Sequence, residues 1–334
     1  MWNRVIWSFV LFLSVAVLVY AVAVGKTYYP QLVLIGVMVG SLYALVALGW
    51  VLIYKCSGVL NLAMGELTLI GGYVCMSLYS VFVEKMPPTY AFMLGVVGTL
   101  IIGMILGLVT ERLFLRKMIG EPILSVIMVT VGLSFLYKGI VFMIWETGTQ
   151  SFEPAVFPLR PVLFAGLIMK QVYVWSFVAC IVLVVAFVSF FKYTRWGLSM
   201  QACSDDEMAA LSLGVSAKYV YALAWGIAFM AAGVGGTILA NVSGLNYSIS
   251  HLGLLVLPVV VFGGLNSVAG ALVGGIAIGI LQNVADGGLS HLRLAYPSPW
   301  WPLTIKEVAP MVFMVVFLLF KPYGLWGWER IERV

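Results

Sequence analysis

Apolar runs of about twenty residues recur along the whole of this 334-residue chain, with only short polar stretches between them. A run of that length is what an α-helix needs to cross the ~30 Å hydrocarbon core of a bilayer. Hydrophobic residues make up 63% of the sequence and charged residues only 9%, whereas soluble domains carry about 25% charged residues. The composition therefore points to an all-α polytopic membrane protein. No proline- or serine-rich linker divides it, so residues 1–334 read as a single transmembrane domain. The net charge of +5 is scattered over loops; it reports orientation in the membrane and gives no sign of a nucleic-acid partner. Cys56, Cys75, Cys180 and Cys203 form no C-x-x-C pair and read as free thiols in or near helices.

The pattern predicts about ten spans, some of them short or broken. Val5–Val24 comes first, after Arg4 and with Ala21-Val22-Ala23 near its end. It reads as an extra N-terminal helix within residues 1–30, and its flanks also fit a signal peptide. Leu32–Tyr54, Asn61–Val83, Tyr90–Val109, Ile123–Ile144, Val172–Phe191 and Val220–Val242 follow. Leu254–Phe262 is short, contains Pro258 and runs into Gly263-Gly264 ahead of Val268–Asn283. Such an interrupted piece reads as a broken or re-entrant helix, which survives at membrane depth only inside protein or along a cavity. A loop with Trp300 and Trp301 at an expected interface precedes the last span, Ala309–Phe320.

Threading these spans puts eleven basic residues on one side, among them Lys55, Arg112, Arg116, Lys117, Lys192, Arg195 and Lys218, and six on the other. The richer side is expected to be cytoplasmic, which places both termini inside the cell. Glycine is abundant, at 35 residues, and falls at four-residue spacing in Gly36/Gly40, Gly103/Gly107, Gly270/Gly274 and Gly275/Gly279. Small residues on one helix face let backbones approach where hydrophobicity cannot drive association. A tight bundle is expected, above all between Phe262 and Gly279.

Few residues carry chemistry. Glu66, in GVLNLAMGELTLIGGYV, reads either as an acid lining or gating a pathway or as a structural acid near the cytoplasmic interface, paired with a cation such as Lys55. Lys138 is expected to snorkel from a helix end, and His251 and His291 fall in predicted outer loops as interfacial polar residues. No metal site is expected. The chain has no G-x-S-x-G, H-E-x-x-H or G-x-x-x-x-G-K-[ST] motif, so no catalytic residue is assigned, and any ATP-driven step needs a motor on another subunit.

The most polar segment is Thr194–Val215, TRWGLSMQACSDDEMAALSLGV, between two spans on the basic-rich side. Gly197–Ala210 reads as a short helix with Gly214 as its C-cap and Asp205, Asp206 and Glu207 on its exposed side. The sequence alone leaves open a docking element for a soluble motor or a solvated loop.

Three blocks resemble the membrane permease subunits of branched-chain amino acid type ABC importers. They are Gly40-Ser41-Leu42-Tyr43-Ala44-Leu45 with Gly58 to Glu66; Thr194-Arg195-Trp196-Gly197 followed by Ala202, Asp206, Ala210 and Gly214; and Gly263 to Ser267 with Gly270, Gly274 and Lys321 to Leu325. Their order is the family's, over roughly residues 31 to 327. The resemblance implies a type II-like importer permease in the bacterial inner membrane, with its C-terminus in the cytoplasm. It implies a second related permease, two cytoplasmic ATPases that bind ATP and Mg (no cofactor in this chain), and a periplasmic binding protein delivering branched-chain or other hydrophobic amino acids. By the same resemblance residues 192–218 are the ATPase-coupling loop, with Arg195, Gly197, Ala202, Asp206, Ala210 and Gly214 its residues. Asn61, Met64, Glu66, Gly263 and Gly264 are the candidates for the translocation pathway. Met64 stands where the family has His, and relatives serve urea and short amides, so those substrates stay as an alternative; an ion-coupled secondary transporter with Glu66 as coupling acid is the rival class.

Overall fold

The computed structural model describes residues 28–327 apart from 119, 146–147, 158–159, 165–166, 296–301, 303 and 323. The predicted first span, Trp300, Trp301, Tyr323 and the basic tail lie outside the described residues. Seven described helices are long and apolar enough to cross a membrane, with two shorter apolar helices beside them. The long ones include α1 (Tyr28–Ser57), α2 (Met64–Phe82), α3 (Pro88–Leu113), α4 (Ile123–Ile144) and α5 (Gln171–Tyr193). Two short helices, α6 (Arg195–Asp205) and α7 (Glu207–Ser212), precede α8 (Ala217–Ser243). A 3-10 turn at Tyr247–His251 leads into α9 (Leu252–Gly263), followed by α10 (Val268–Ala295) and α11 (Val308–Phe320). The predicted Val268–Asn283 span is thus longer than expected and takes in much of the predicted loop.

The frame is built by glycine. Residues Gly36 and Gly40 of α1 lie against Gly279, Ile280, Gly275 and Ile276 of α10, so closely that a Cβ at Gly40 would sit 2.8 Å from the Ile276 Cα. Gly71 of α2 meets Gly233 of α8 backbone to backbone, Gly107 of α3 meets Gly226 of α8, and Gly263 of α9 meets Gly270 of α10. In lipid, where apolar side chains gain little by meeting one another, such approach supplies the dispersion contacts that hold helices together. The predicted small-residue pairs therefore do what their spacing suggested. Across the α1–α10 seam the Tyr43 hydroxyl donates to Gln282 Oε1 at 2.5 Å, deep in the core.

Burial singles out the middle of the bundle. In their most apolar windows α1, α2 and α8 are 67%, 72% and 83% buried, against 39% for α10, 22% for α3 and α4, and 17% for α5. The long predicted loop after α4 carries an unpredicted antiparallel hairpin, β1 (Pro161–Phe164) with β2 (Leu167–Lys170).

Candidate functional site

The route to the site begins where α1 ends. From Gly58, at φ +66, the chain turns back into the protein, as a re-entrant segment that stays non-helical until Met64. Irregular backbone at that depth must find partners inside the protein. The Trp50 indole donates to the Asn61 carbonyl at 2.8 Å, the Thr130 hydroxyl donates to the Leu60 carbonyl at 3.0 Å, and Asn61 Oδ1 accepts from the Ala63 N–H at 3.0 Å.

Two contacts fix the depth of α2 against α4. The Trp145 indole, just past the C-terminal end of α4, donates to Ser77 Oγ at 2.8 Å across an offset of 68 residues. At that same offset the Glu66 carboxylate faces Ser134, about halfway along the 22-residue α4. With ~1.5 Å of rise per residue, α4 spans about 33 Å, and α2 starts level with a point roughly 14 Å along it from its N-terminal end. Glu66 therefore lies level with the middle of α4 and not with its N-terminal end. Lys55, the expected partner, has its Nζ 5.4 Å from the Phe191 ring instead.

Glu66 is 6% exposed. Lys138 of α4 and His251, at the end of the 3-10 turn, are the basic residues on its side of α2. Lys138 is half-buried, its Nζ 5.2 Å from the Tyr247 ring and 5.4 Å from the Phe135 ring, and Tyr247 in turn packs edge-on against His251 at 5.7 Å. A cation over aromatic faces is partly repaid for leaving water. A charge at mid-bilayer still costs about 2.5–3.5 kcal/mol on insertion scales, which is why such groups mark pathways and binding sites. His251 and Lys138 were not recognisable as neighbours of Glu66 from sequence, because helix register across so many residues has no sequence signal.

The remaining pathway candidates separate. Asn61 is 1% exposed and its Nδ2 has no hydrogen-bond partner among the described residues. Met64 is fully buried, its methyl beside Gly49. Gly263 and Gly264 sit at the other end of α9, where the chain breaks before α10. Gly264 has φ +104, and Leu325 and Trp326 donate their N–H groups to the carbonyls of Phe262 and Gly263 at 2.9 and 3.2 Å. This pair is a clamp for the C-terminal segment, away from Glu66.

Between α5 and α8, the short helices α6 and α7 form an elbow. Thr194 Oγ1 caps α6 by accepting from the Gly197 N–H at 3.0 Å, and Gly197 is pressed so hard against the Phe190 and Phe191 carbonyls that no Cβ fits. The expected single helix breaks at Asp206, which is extended at φ −155 and ψ 106. Asp206 closes α6, with its N–H donating to the Ala202 carbonyl at 3.0 Å, and caps α7, with Oδ1 accepting from the Ala209 N–H at 3.0 Å. A side-chain oxygen at an N-cap contributes about 1 kcal/mol. Gly214, at φ +86, ends α7 as expected: Val215 donates to Ala210 and Gly214 to Leu211, both at 3.0 Å, the paired bonds of a Schellman turn. Arg195 is exposed at the start of α6, Ala202 is half-buried and Ala210 is buried.

Between elbow and re-entrant segment lies a cavity of about 210 Å³, lined by Gly58, Leu60, Arg116, Glu207, Tyr221 and Trp225 among others. Arg116 is held there by Glu111 in a bidentate pair, at 2.8 and 3.1 Å. The elbow and the segment that positions Glu66 thus share one wall.

The sequence profile described as branched-chain amino acid transport system, permease component, matches residues 32–320. The chain belongs to that family. It is 27% identical over 319 residues to the high-affinity branched-chain amino acid transport system permease protein LivH of Escherichia coli K12, covering 92% of this chain and 98% of that relative. Identity is 25% to BraD of Pseudomonas aeruginosa, described in the same terms, over 92% and 98%. It is 26% to a probable branched-chain amino acid transport permease of Methanocaldococcus jannaschii, over 89% and 93%. The chain is thus a multi-pass permease component of the ABC transport class, and the glycine seams and re-entrant segment lie inside the matched residues.

Proposed function

We propose that this permease forms half of a transmembrane channel with a related subunit in the inner membrane, and passes branched-chain or other hydrophobic amino acids inward from a periplasmic binding protein. Two ATPases at the cytoplasmic face drive it through the α6–α7 elbow. The observation that carries this reading is the elbow itself. It stands at the basic-rich end of the spans and combines exposed Met208, Leu211 and Leu213 with exposed Asp205, Asp206 and Glu207. A solvated loop has no reason to hold large apolar side chains in water on two capped helices; a surface awaiting a soluble partner does. Its Glu207 faces the Tyr221 hydroxyl at the foot of α8 and lines the cavity under Leu60. A push on the elbow is therefore delivered to the segment that ends at Asn61 and Glu66.

The test is an Asp206→Arg permease in the purified complex. Insertion and folding are expected to persist while transport and substrate-stimulated ATP hydrolysis are lost. Normal stimulated hydrolysis sinks the coupling assignment. Identifying the molecule held by the co-purified binding protein decides between amino acids and short amides.

A further inference from the structure

A cavity of about 600 Å³ lies between α3, α5 and α8, floored by the buried Leu45 of α1. Leu108, Ala186, Trp196 and Tyr219 on its edges are exposed, so it is an open groove and not a sealed void. Apart from the Trp196 indole and the Tyr219 hydroxyl, every side chain lining it is apolar. The three helices are long and apolar enough to span a membrane, so the groove opens onto lipid unless another chain covers it. It runs along the helix axes. At ~1.5 Å per residue it covers roughly 12 Å of α3, from Leu100 to Leu108, and roughly 22 Å of α8, from Tyr219 to Val234. One leaflet of the ~30 Å hydrocarbon core is about 15 Å thick, so the groove has the length of one leaflet's acyl chain.

Two of its walls end in the same way. Leu100, Met104 and Leu108 follow one another at four-residue spacing on α3, and Arg112 is the next residue of that column. On α8, Val234, Met230 and Ala222 lead to Lys218, one turn before Ala222 on the same face. The two helices pack with Gly103 against Met230 and Gly107 against Gly226. That antiparallel register sets Arg112 level with Tyr221, within one turn of Lys218. Arg195, next to Trp196, adds a third cation from α6. Arg112, Arg195 and Lys218 are all exposed, and none has an ion-pair partner among the described residues. Glu111 beside them is buried and committed to Arg116. Trp196 and Tyr219, 55% and 71% exposed, stand at this same end of the groove, as aromatic residues do where hydrocarbon meets headgroups.

We infer that the groove binds one acidic phospholipid, with an acyl chain along α3, α5 and α8 and the phosphate held by Arg112, Lys218 and Arg195. An apolar groove alone accepts any hydrocarbon; three unpaired cations at one end select the headgroup. A phospholipid brings tail and negative charge in one molecule, in the order in which the two columns present them. Basic pockets between spanning helices recognise headgroups by this combination of charge and depth. Trp196 belongs to α6, so a bound chain also braces the elbow against α3, α5 and α8. That consequence rests on the coupling reading above, whereas the binding does not.

The experiment takes the purified permease complex, depleted of lipid in detergent, and titrates it with phosphatidylglycerol or phosphatidylcholine, counting bound lipid by native mass spectrometry. The wild type is expected to retain one phosphatidylglycerol in preference to phosphatidylcholine. A basic residue near a headgroup contributes about fivefold in affinity, so Arg112→Gln/Lys218→Gln should weaken phosphatidylglycerol binding about twenty-five-fold and leave phosphatidylcholine unchanged. Ala186→Trp, which fills the groove from its exposed edge, should abolish retention of either lipid while the elution volume on size exclusion persists. Equal affinity of the wild type for the two lipids, or an unaffected double variant, overturns the headgroup assignment. Phosphatidylglycerol retained by Ala186→Trp overturns the groove as its site. Loss of the second permease from a folded Ala186→Trp chain gives the groove to that subunit and overturns the lipid. The double variant, whose two positions are exposed, decides the matter if Ala186→Trp does not fold. Stimulated ATP hydrolysis in vesicles of phosphatidylcholine, with and without phosphatidylglycerol, tests the brace separately: hydrolysis indifferent to the acidic lipid, in a complex that binds it, refutes the brace alone.

Discussion

Two pairs of neighbouring helices are held together by opposite means. The antiparallel pair α1 and α10 touches backbone to backbone along Gly36, Gly40, Gly275 and Gly279. The parallel pair α2 and α4 is joined by a few side-chain links, Thr130 to Leu60 and Trp145 to Ser77, with Glu66 facing Ser134 between them. The glycines of α4, Gly132 and Gly139, have open space where a Cβ would go. A seam with no room has one arrangement, whereas a wall tied by side-chain hydrogen bonds has others close by in energy, because interfaces switch between discrete packings more readily than they deform. The contrast assigns α1 and α10 to the frame and leaves α4, which carries Lys138, as the looser wall.

The strongest way to break the comparison is to overfill both pairs. Gly275→Leu is expected to prevent folding or to cost about 3 kcal/mol or more, since its Cβ alone would meet the Ala44 Cα at 2.7 Å. Gly139→Leu is expected to stay within about 0.5 kcal/mol of the parent, as an open surface position should. Thermal melting in detergent, followed by size-exclusion chromatography, reads both. Equal melting temperatures for the two variants would remove the distinction between frame and wall.

A gentler cut tests what ties the wall. Thr130→Val keeps the shape of a buried side chain but withdraws the hydroxyl from the Leu60 carbonyl. Because Leu60 is only half-buried and borders the cavity, the loss is expected to be about 1 kcal/mol, the net worth of one hydrogen bond. The loss is expected to fall on the re-entrant segment, so hydrogen exchange should rise in residues 58–63 and hold steady in α10. A uniform rise over both would show that α2, α4 and the frame open as one unit.

How much of this was legible in the sequence follows the same division. The frame was, because glycine spacing is a local signal and each pair marks one face of one helix. Gly214 was legible as a C-cap and Pro258–Gly264 as a broken segment, for the same reason: the residue type dictates the backbone. The Glu66 neighbourhood was not. Hydropathy extended the third span to Asn61 without a break, because residues 58–63 are as apolar as a helix and only Trp50 and Thr130, far away in sequence, reveal that the backbone is satisfied otherwise. Lys138 and His251 looked like stray interfacial residues until the register of α2 on α4 brought them level with Glu66. The break at Asp206 was missed because an aspartate inside an acidic run looks like solvated charge, and only its extended dihedrals show it ending one helix and beginning another.

The elbow provides the next test. Asp206→Ala removes the cap on α7 and is expected to cost about 1 kcal/mol, while Asp206→Asn keeps the acceptor and costs little. If the elbow couples through its shape, stimulated ATP hydrolysis follows the cap: reduced in Asp206→Ala and near normal in Asp206→Asn. If the carboxylate itself meets the ATPase, Asn fails with Ala. The pair therefore separates a capping role from a contact role at one residue.

The smallest expected effect asks whether the elbow moves with the frame or apart from it. Cys203 of α6 is 4% exposed, and the neighbouring Cys56 thiol of α1 reaches the Met200 carbonyl at 4.0 Å. Burial pushes the Cys203 thiol above the usual cysteine range, and the Glu207 carboxylate adds to the rise. The folded protein thus favours the neutral thiol. The stability this provides is complete below the ordinary thiol value, about 8.5, and is lost as pH climbs through the raised one. Maleimide, which reacts with the thiolate, should label Cys203 slowly near neutral pH and faster in alkali, in a permease whose other cysteines are replaced. Glu207→Gln should bring the rise in labelling to lower pH. Labelling at the rate of a free cysteine at neutral pH would mean that α6 leaves the frame without its partner, and the elbow would then be a hinged element and not a rigid lever. Slow labelling that quickens only when ATP is turned over would place that motion in the transport cycle.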